Sequence, residues 1–306
     1  MIPLCAPENA KLPTALALGS FDGLHLGHKK VINAILKEPI GVPTVVSFWP
    51  HPREVLFGES RLRLDLPNEK TFLLEPLGIE QLVLVPFNKN LASKSAETFV
   101  EEVLAKTLHA KHIAVGENFR FGRNREGDTS TLEKIGASLG IKISIVPIVK
   151  DNHGRLSSSR VRKALNDGDL KHAKYLLKRP YTFRGTVEKG RGLGKKIGWP
   201  TANLKIDGRK FLPSLGVYAA WASIANKKER FLAVMNMGPQ PTIDPNSLSA
   251  VEVHLLDKEI NLLGHELIIE PVQRIRLQKK FENIDALSEQ ISLDAILAKE
   301  ILTKKL

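Results

Sequence analysis

The sequence predicts a two-domain α/β protein, with a doubly wound parallel sheet in the N-terminal part and a mostly β domain after it. Between residues 15 and 177, short apolar runs alternate with segments of helical periodicity, which is typical of a parallel sheet with crossover helices. Beyond residues 180–184 the pattern changes to short strands broken by Gly and Pro. A chain of 306 residues is long enough to form two separate cores.

The composition favours anionic small molecules as partners. The 45 Lys and Arg residues exceed the 33 Asp and Glu residues, which gives a net charge of +12. Nucleotides and nucleic acids both fit this charge. The basic residues are scattered, however, and only three Tyr and three Trp offer stacking surfaces, so we expect no nucleic-acid partner.

The cysteine content and the apolar pattern indicate the compartment. Cys5 is the only cysteine, which excludes an internal disulfide framework and a Cys-based zinc site. A reducing cytoplasm is therefore the expected location. The first residues lack a basic leader with a long apolar core, and no run approaches the length of a membrane span. We expect no membrane association.

The first motif is the segment 19–28, Gly-Ser-Phe-Asp-Gly-Leu-His-Leu-Gly-His, between a predicted strand at 15–18 and a predicted helix through 31–36. Its glycines allow the backbone to approach an anion, and the first helical amides would point at that anion. We therefore predict a phosphate site. His25 and His28 are three residues apart, so both imidazoles can donate hydrogen bonds to charge that develops on phosphorus. The alternatives are a tight turn with two solvent-exposed histidines, or a zinc site, although no Cys, Asp or Glu cluster completes the latter.

Two later loops follow predicted strands, and the carboxyl ends of strands line the ligand crevice of an open α/β sheet. The strand at 44–48 ends in Trp49-Pro50-His51-Pro52, where the prolines fix a loop. The strand at 112–115 leads into Gly-Glu-Asn-Phe-Arg-Phe-Gly at 116–122. Aromatic residues that alternate with a basic residue could hold a planar base and its phosphates. For each loop a purely structural role is the alternative.

A serine run at 157–159 opens a predicted helix that continues to Leu177 and ends before Pro180. Serines at a helix N-terminus are ordinarily caps. Followed by Arg160 and Arg162, however, they could also form a phosphate clamp of hydroxyls, free amides and guanidinium groups. Both interpretations remain open.

The second domain opens with a stretch at 185–204 that is rich in glycine and basic residues, which suits a flexible flap over phosphates or a simple turn. It has neither the Walker A spacing nor that of a dinucleotide-binding fingerprint. Strands are predicted at 215–219, 231–234 and 250–257. In the last of these, alternation puts Glu252 and His254 on one face. A helix is predicted over 283–306, packed on a barrel, with an amphipathic membrane helix as the alternative.

Taken in order, these motifs resemble those of the bacterial bifunctional riboflavin kinase/FMN adenylyltransferases (FAD synthetases) along nearly the whole chain. The resemblance implies a Rossmann-like nucleotidyltransferase domain with a parallel sheet at 1–182 and a riboflavin kinase β-barrel with a terminal helix at 183–306. The elements that carry it are His-x-Gly-His at 25–28, Phe-x-Pro-His-Pro at 48–52, Gly-x-Asp/Asn-Phe-x-Phe-Gly at 116–122, Ser-Ser-Thr-x-x-Arg at 157–162 with Ser159 for Thr, and Pro-Thr-Ala-Asn at 200–203.

The same resemblance implies two ATP-dependent reactions. Riboflavin would be phosphorylated to FMN in the second domain, and FMN would be adenylylated to FAD in the first, with release of pyrophosphate. The partners implied are therefore ATP, riboflavin, FMN, FAD and pyrophosphate, and the cofactor implied is Mg²⁺ bound with ATP. The oligomeric state is not indicated.

Residue by residue, the resemblance implies that Glu252 is the base for the ribityl hydroxyl and that Thr201 and Asn203 hold Mg²⁺. The catalytic residues that would align the phosphates and stabilise their charge are His25, His28, Arg160 and Arg162. The other implied ATP- and phosphate-binding residues are Gly19, Ser20, Phe21, Asp22, Gly23, Asn118, Ser158, Ser159, Gly190, Gly194 and Lys195. The implied flavin-binding residues are Phe48, Pro50, His51, Pro52, Asn236 and Gly238.

The kinase half departs from the family pattern more than the transferase half does. Lys195 and Gln240 each stand where the family has Arg, and Asn261 with Leu263 alters an Asp-Leu-Tyr-Gly element. An Arg-to-Lys exchange keeps the charge but loses the bidentate fork. Because Thr201, Asn203 and Glu252 remain, we expect an active kinase. The alternatives are a monofunctional FMN adenylyltransferase whose barrel has lost kinase activity, and a nonenzymatic flavin- or RNA-binding regulator.

Overall fold

A computed structural model describes residues 1–38, 40–59, 62–190, 194, 197–238 and 251–304. The chain forms two compact units. Unit 1 comprises residues 1–61 and 65–157, and unit 2 comprises residues 62–64 and 158–306. The functional domain boundary at 182/183 stays a prediction.

Unit 1 is built on a parallel sheet, as predicted. Within the described residues it has six strands in the order β1-β4-β3-β2-β5-β6, and every neighbouring pair is parallel. The chain builds outward from β2 through β3 and β4, then crosses to β5 on the other side. The crevice beyond the carboxyl ends of β2 and β5 is therefore the topological switch point, where such sheets bind ligands. The strands are β1 Leu4–Cys5, β2 Thr14–Leu18, β3 Val42–Trp49, β4 Gln81–Pro86, β5 Ala110–Gly116 and β6 Lys142–Val146.

Alternation along β2 creates the two faces of this sheet. Leu16 and Leu18 belong to one buried cluster, while Ala15 and Ala17 belong to another that includes Ile32 of the first helix. A short hairpin, β7 Lys150–Asp151 and β8 Gly154–Arg155, closes the unit. Its helices are α1 Leu26–Leu36, α2 Pro52–Phe57, α3 Pro67–Leu74, α4 Lys89–Ser93, α5 Ala96–Thr98 and α6 Thr129–Ser138.

The segment 96–108 has apolar residues at helical spacing, at Phe99, Val100, Val103, Leu104 and Leu108, yet it is mostly not an α-helix. After α5, residues Phe99–Thr107 form a π-helix, and the Leu108 amide donates to the Val103 carbonyl five residues earlier, at 3.1 Å. Buried Phe99 and Leu104 are also five residues apart. The wider π-turn brings both side chains to the buried face. Because π-helices are rare, helical spacing of apolar residues ordinarily indicates an α-helix.

The single helix predicted from the serine run to Leu177 is wrong, because the chain breaks it into α7 Ser158–Asn166 and α8 Leu170–Leu177. Gly168 lies between them in the left-handed region, with φ of +73°. Asp169 then caps α8, since its Oδ1 accepts from the His172 amide at 2.9 Å.

Unit 2 contains the predicted barrel. Within the described residues it is closed by six strands in the order β10-β13-β12-β11-β14-β9. The predicted terminal helix, α9 Ile284–Thr303, packs Ala295, Ala298 and Leu302 against Val217 and Val234 on the outer face of the barrel. The fold class predicted from the sequence is thus confirmed. The strands are β9 Phe183–Glu188, β10 Ala202–Lys205, β11 Gly216–Ile224, β12 Arg230–Met237, β13 Val251–Leu255 and β14 Glu266–Arg276.

None of the helices in the described part of the chain combines the length and the apolar character needed to cross a bilayer.

Candidate active sites

The loop after β2 has a contorted backbone that directs His25 and His28 to one place. Phe21 and Leu24 lie in the left-handed region, with φ of +45° and +43°, where side chains with a Cβ are strained. The Ser20 carbonyl anchors the loop by accepting from the Lys70 ammonium at 2.8 Å and from the Ser47 hydroxyl at 3.1 Å. The loop ends at His25, the N-cap of α1, which places His28 in the first helical turn.

The two predicted imidazoles form a stacked pair. Their ring centroids are 3.7 Å apart with an interplanar angle of 19°, and the Phe21 ring contacts His28 edge-on at 5.3 Å. His25 is 6% exposed. The Nδ1 atoms of both rings are buried and lack a hydrogen-bond partner within the described residues. Two polar atoms without protein partners, at the switch point of a parallel sheet, are what a ligand site leaves unsatisfied.

Burial keeps both imidazoles neutral at neutral pH. It lowers the pKa of His25 to about 4, with a further lowering from the charge of Arg155 that Asp22 partly opposes. Burial likewise lowers the pKa of His28 well below its usual value, and the charges of His25, Lys70 and Arg155 act in the same direction. An anion bound against the pair would raise both pKa values.

Asn118, predicted to contact a nucleotide, lies at the end of β5 and interacts with Arg155 of the hairpin. With its amide oxygen facing the guanidinium, Asn118 accepts from the two Arg155 Nη atoms at 3.2 and 3.0 Å. Arg155 and Lys70 were not predicted from the sequence. Arg155 could have been noticed because it shortly precedes the serine run. Nothing local marks Lys70, whose proximity to the loop after β2 is tertiary.

The predicted flavin-binding loop after β3 has structural roles of its own. The His51 side chain caps α2 by accepting from the Arg53 amide at 3.1 Å, and the His51 amide donates to Glu54 at 2.9 Å. Pro52 occupies the first helical position. The Phe48 ring contacts Phe87 edge-on at 5.9 Å. Flavin binding by Phe48, Pro50, His51 and Pro52 stays a prediction.

Helix α7 begins at Ser158, so Ser158, Ser159 and Arg160 occupy its first turn. Arg162 makes defined contacts within unit 2. Its guanidinium donates to the Leu62 carbonyl at 3.1 Å and lies over the Phe211 ring, 5.7 Å from the ring centroid. The phosphate-binding roles of these four residues stay predictions.

Unit 2 has a cavity of about 520 Å³. Val217 and Val234 form an apolar wall on the barrel side, and Leu287 and Ile291 of α9 are further lining residues. A few polar groups, among them Glu252, also reach it. A cleft of this size that combines an apolar wall with polar groups suits a planar, mostly apolar ligand that carries a polar chain. The other polar barrel residues that line it are Thr201, Asn236, His254 and Arg276.

The residues predicted to hold Mg²⁺ and to act as base lie side by side. Asn203 of β10 pairs directly with Glu252 of β13, and Thr201 immediately precedes β10. Two glycines lie so close to this segment that a larger residue in either position would clash with it. A Cβ on Gly190 would lie 2.0 Å from Asn203 Nδ2, and one on Gly194 would lie 2.3 Å from the Trp199 carbonyl oxygen and 3.2 Å from Thr201 Oγ1. A hydroxyl and an amide oxygen beside a carboxylate suit a hard cation that shares its other positions with phosphates.

Other predicted residues of this half are placed as follows. Asn236 lines the cavity, and its Oδ1 accepts from Gln278 at 3.0 Å, whereas Gly238 follows β12. Lys195 and Gln240, two of the departures from the family pattern, lie outside the described residues. Asn261 Oδ1 accepts from the Leu263 amide at 3.2 Å, a turn contact that an Asp could equally make.

The cavity wall also contains a buried ion pair that was not predicted from the sequence. Asp294 of α9 is 2% exposed and accepts from Arg276 Nε at 3.0 Å and Nη2 at 2.8 Å. Gln290 Nε2 adds a hydrogen bond to Asp294 at 3.0 Å. This pair ties the end of β14 to α9. Because the partners are 18 residues apart on different elements, no local pattern marks them.

The fold and the sites define a two-domain protein with a buried imidazole pair at the switch point of a parallel α/β sheet and a cavity with a carboxylate, a hydroxyl and an amide beside a closed β-barrel. The family model described as FAD synthetase matches residues 8–160, and that described as riboflavin kinase matches residues 177–302. The chain belongs to the bifunctional riboflavin kinase/FMN adenylyltransferase family. The presence of both domains favours the bifunctional interpretation over the monofunctional alternative.

Relatives of that description match nearly end to end. The protein of Haemophilus influenzae is 35% identical over 295 residues, which cover 93% of each chain. That of Escherichia coli K12 is 36% identical, covering 94% of this chain and 93% of the relative, and that of Bacillus subtilis is 35% identical, covering 95% and 92%. A crystal structure from Streptococcus pneumoniae, described as a macrolide-efflux protein, superposes with a TM-score of 0.82 at 29% identity, covering 97% of this chain and 98% of that chain.

Proposed function

We propose that this protein makes FAD from riboflavin in two ATP-dependent steps. The barrel domain transfers the γ-phosphate of ATP to riboflavin, giving FMN and ADP. The parallel-sheet domain transfers the AMP moiety of a second ATP to FMN, giving FAD and pyrophosphate. The observation that carries the proposal is the pairing of Glu252 with Asn203 at the barrel cavity, beside Thr201, in a chain that also contains the stacked imidazoles.

In the kinase step the apolar cavity walls hold the flavin ring, and the ribityl hydroxyl points toward Glu252. The carboxylate takes the hydroxyl proton as the oxygen attacks the γ-phosphorus and the bond to the ADP oxygen breaks. Glu252 lies on a strand that is hydrogen-bonded on both sides, so its position is fixed by the barrel rather than by a loop.

Thr201 and Asn203 are the proposed ligands of Mg²⁺ bound with ATP. Their neutral oxygens suit a cation that also binds phosphates, and Gly190 and Gly194 allow the Asn203 side chain and the Trp199–Thr201 segment to pack where a Cβ would clash. When bound, the ion draws charge from the γ-phosphate. The two side chains provide the fixed points that orient the nucleotide toward Glu252.

In the adenylylation step no protein nucleophile is required, because the FMN phosphate is already an anion. Its oxygen attacks the α-phosphorus of ATP, the bond to the β-phosphate breaks, and pyrophosphate leaves. His25 and His28 donate N–H groups to the phosphate oxygens, which stabilises the developing charge. The roles proposed for Arg160 and Arg162, alignment of the phosphates and charge stabilisation, rest on family membership.

The proposed partners are ATP, riboflavin, FMN, FAD and pyrophosphate. A cytoplasmic location is proposed with them, supported by the single cysteine and by the need for ATP in both steps. A nucleic-acid partner is not proposed, because the basic residues are scattered along the sequence.

The test is an incubation of purified protein with ATP and Mg²⁺, started from riboflavin in one reaction and from FMN in another. The flavins are separated by chromatography over time. We expect FMN to appear before FAD in the first reaction, and FAD alone to appear in the second. FAD formed only from supplied FMN would contradict the kinase half, and salt-sensitive RNA binding without ATP turnover would contradict both halves.

A further inference from the structure

His254 lies one position beyond the end of the β10–β13 ladder, on the side of the proposed Mg²⁺ ligands. The ladder pairs Asn203 with Glu252 and Ala202 with Val253, and the next step of the same register brings Thr201 opposite His254. Alternation along β13 puts the His254 side chain on the face that carries Glu252, and both line the cavity.

A side-chain hydrogen bond continues the ladder where the backbone pairing stops. His254 Nδ1 lies 2.7 Å from the Pro200 carbonyl oxygen. That oxygen can only accept, so Nδ1 carries the proton and donates. The carbonyl belongs to the planar peptide unit that joins Pro200 to Thr201. The hydrogen bond therefore fixes the orientation of the peptide plane that leads into Thr201.

The segment that precedes Thr201 is also held from two other directions. The Trp199 indole donates to Ser288 Oγ of α9 at 3.3 Å, and its ring meets His254 edge-on with centroids 5.1 Å apart. The Trp199 amide donates to the Gly194 carbonyl at 2.8 Å. Pro200 has no N–H, so its carbonyl is the only backbone group of that residue through which a neighbour can hold it.

We propose that His254 is a positioning residue of the kinase step: its Nδ1–H holds the Pro200 carbonyl and so places the Thr201 hydroxyl for Mg²⁺·ATP. The inference rests on the proposed function. Catalysis by positioning is sensitive to small displacements, and a shift of about 1 Å can cost roughly 100-fold in rate. Loss of the hydrogen bond should therefore reduce turnover and the response to Mg²⁺, while the apolar wall that holds the flavin is unaffected.

Two substitutions of nearly equal shape isolate the donor. In His254→Asn the amide nitrogen takes the place of Nδ1, whereas in His254→Leu a methyl group does. For the Leu variant we expect kcat of riboflavin phosphorylation to fall roughly 10- to 100-fold, with a higher Mg²⁺ concentration for half-maximal activity and a much smaller change in the KM for riboflavin. The Asn variant should retain most of the activity. Adenylylation of supplied FMN, measured in the same preparations, should match the unaltered protein.

Equal kinase rates and Mg²⁺ responses in the Asn and Leu variants would overturn the inference, whether both are impaired or both are normal. A second measurement does not depend on folding of the variants. In the unaltered protein, ¹⁵N chemical shifts should show a proton on His254 Nδ1, and a proton on Nε2 alone would remove the bond and the inference with it. Unaltered protein that phosphorylates no riboflavin would instead contradict the proposed function.

Discussion

The imidazole rings of His25 and His28 are stacked, with centroids 3.7 Å apart and planes 19° apart. Two positive charges at that separation, in a buried place, would repel strongly. Burial and the neighbouring positive groups instead lower the pKa of both rings. In the free protein the pair is therefore neutral at neutral pH.

The stability of unit 1 should fall as the solution becomes acidic. His25 has a pKa of about 4 in the folded protein against an ordinary 6.5, so between these values the unfolded chain binds more protons. Stability is thus retained above pH 6.5 and lost as the pH falls toward 4, by about 3 kcal/mol from this residue. His25→Asn should flatten the dependence, and His109→Asn, at an exposed histidine, should not. Urea unfolding at several pH values, followed at Trp49 with Trp199 and Trp221 replaced by Phe, measures it. If the free energy of unfolding depended on pH equally in His25→Asn and His109→Asn, His25 would not be the source of the pH dependence.

Removal of the Arg155 charge should raise the pKa of His25. Burial is the larger cause of the lowered value, so in Arg155→Gln we expect a pKa above 4 that remains below the usual 6.5. A titration of the His25 ring protons by NMR provides the measurement. Arg123→Gln, which removes an equal charge that does not contribute at His25, is the control. An unchanged His25 pKa in Arg155→Gln would show that the guanidinium does not face the pair.

Breaking the Arg276–Asp294 pair should destabilise unit 2 and weaken riboflavin binding. Asp294→Asn leaves the Arg276 guanidinium without its carboxylate in a mostly buried place, at a cost of about 3 kcal/mol. Asp285→Asn, on the exposed first turn of the same helix, should lower the free energy of unfolding by only a few tenths of that amount. Urea unfolding followed at Trp199 and Trp221, with a riboflavin titration, tests both. Equal effects of the two substitutions would mean that the pair does not hold α9 in place.

His28→Asn should stop the reaction sequence at FMN. Loss of a preorganised hydrogen-bond donor to the transition state typically costs about 10²- to 10³-fold in rate. Riboflavin phosphorylation should continue, because the barrel is untouched. His109→Asn makes the same chemical change at an exposed position of unit 1 and should leave FAD formation intact. A normal rate of FMN adenylylation in His28→Asn would exclude the imidazole from the reaction.

Local sequence patterns predicted the features that depend on periodicity or on one loop. Alternation put Glu252 and His254 on one face of β13, and an apolar run followed by glycines and histidines located the loop after β2. The breakdown of helical periodicity was harder to see. The π-helix arises from residues five apart, and Gly168 breaks a helix inside a continuous apolar pattern.

Features that depend on tertiary contact could not be predicted. Lys70 lies 50 residues from Ser20, and Asp294 lies 18 residues from Arg276, on a different element. The charge of Arg155 acts on the two histidines only because of where the β7–β8 hairpin lies in the fold. The sequence therefore predicted the candidate reacting groups more readily than the residues that shift their pKa or hold the neighbouring elements in place. The latter come close to their partners only through tertiary packing.

The most direct test of a two-site enzyme is complementation between two inactive halves. Glu252→Gln should make FAD from FMN but form FMN from riboflavin about 10²- to 10⁴-fold more slowly, whereas Glu270→Gln, outside the cavity, should do both. His28→Asn should make only FMN. Mixed with riboflavin, ATP and Mg²⁺, the Glu252→Gln and His28→Asn proteins should together produce FAD that neither produces alone. Continued FMN synthesis by Glu252→Gln, or a mixture that stops at FMN, would contradict the assignment of the two reactions to these two sites.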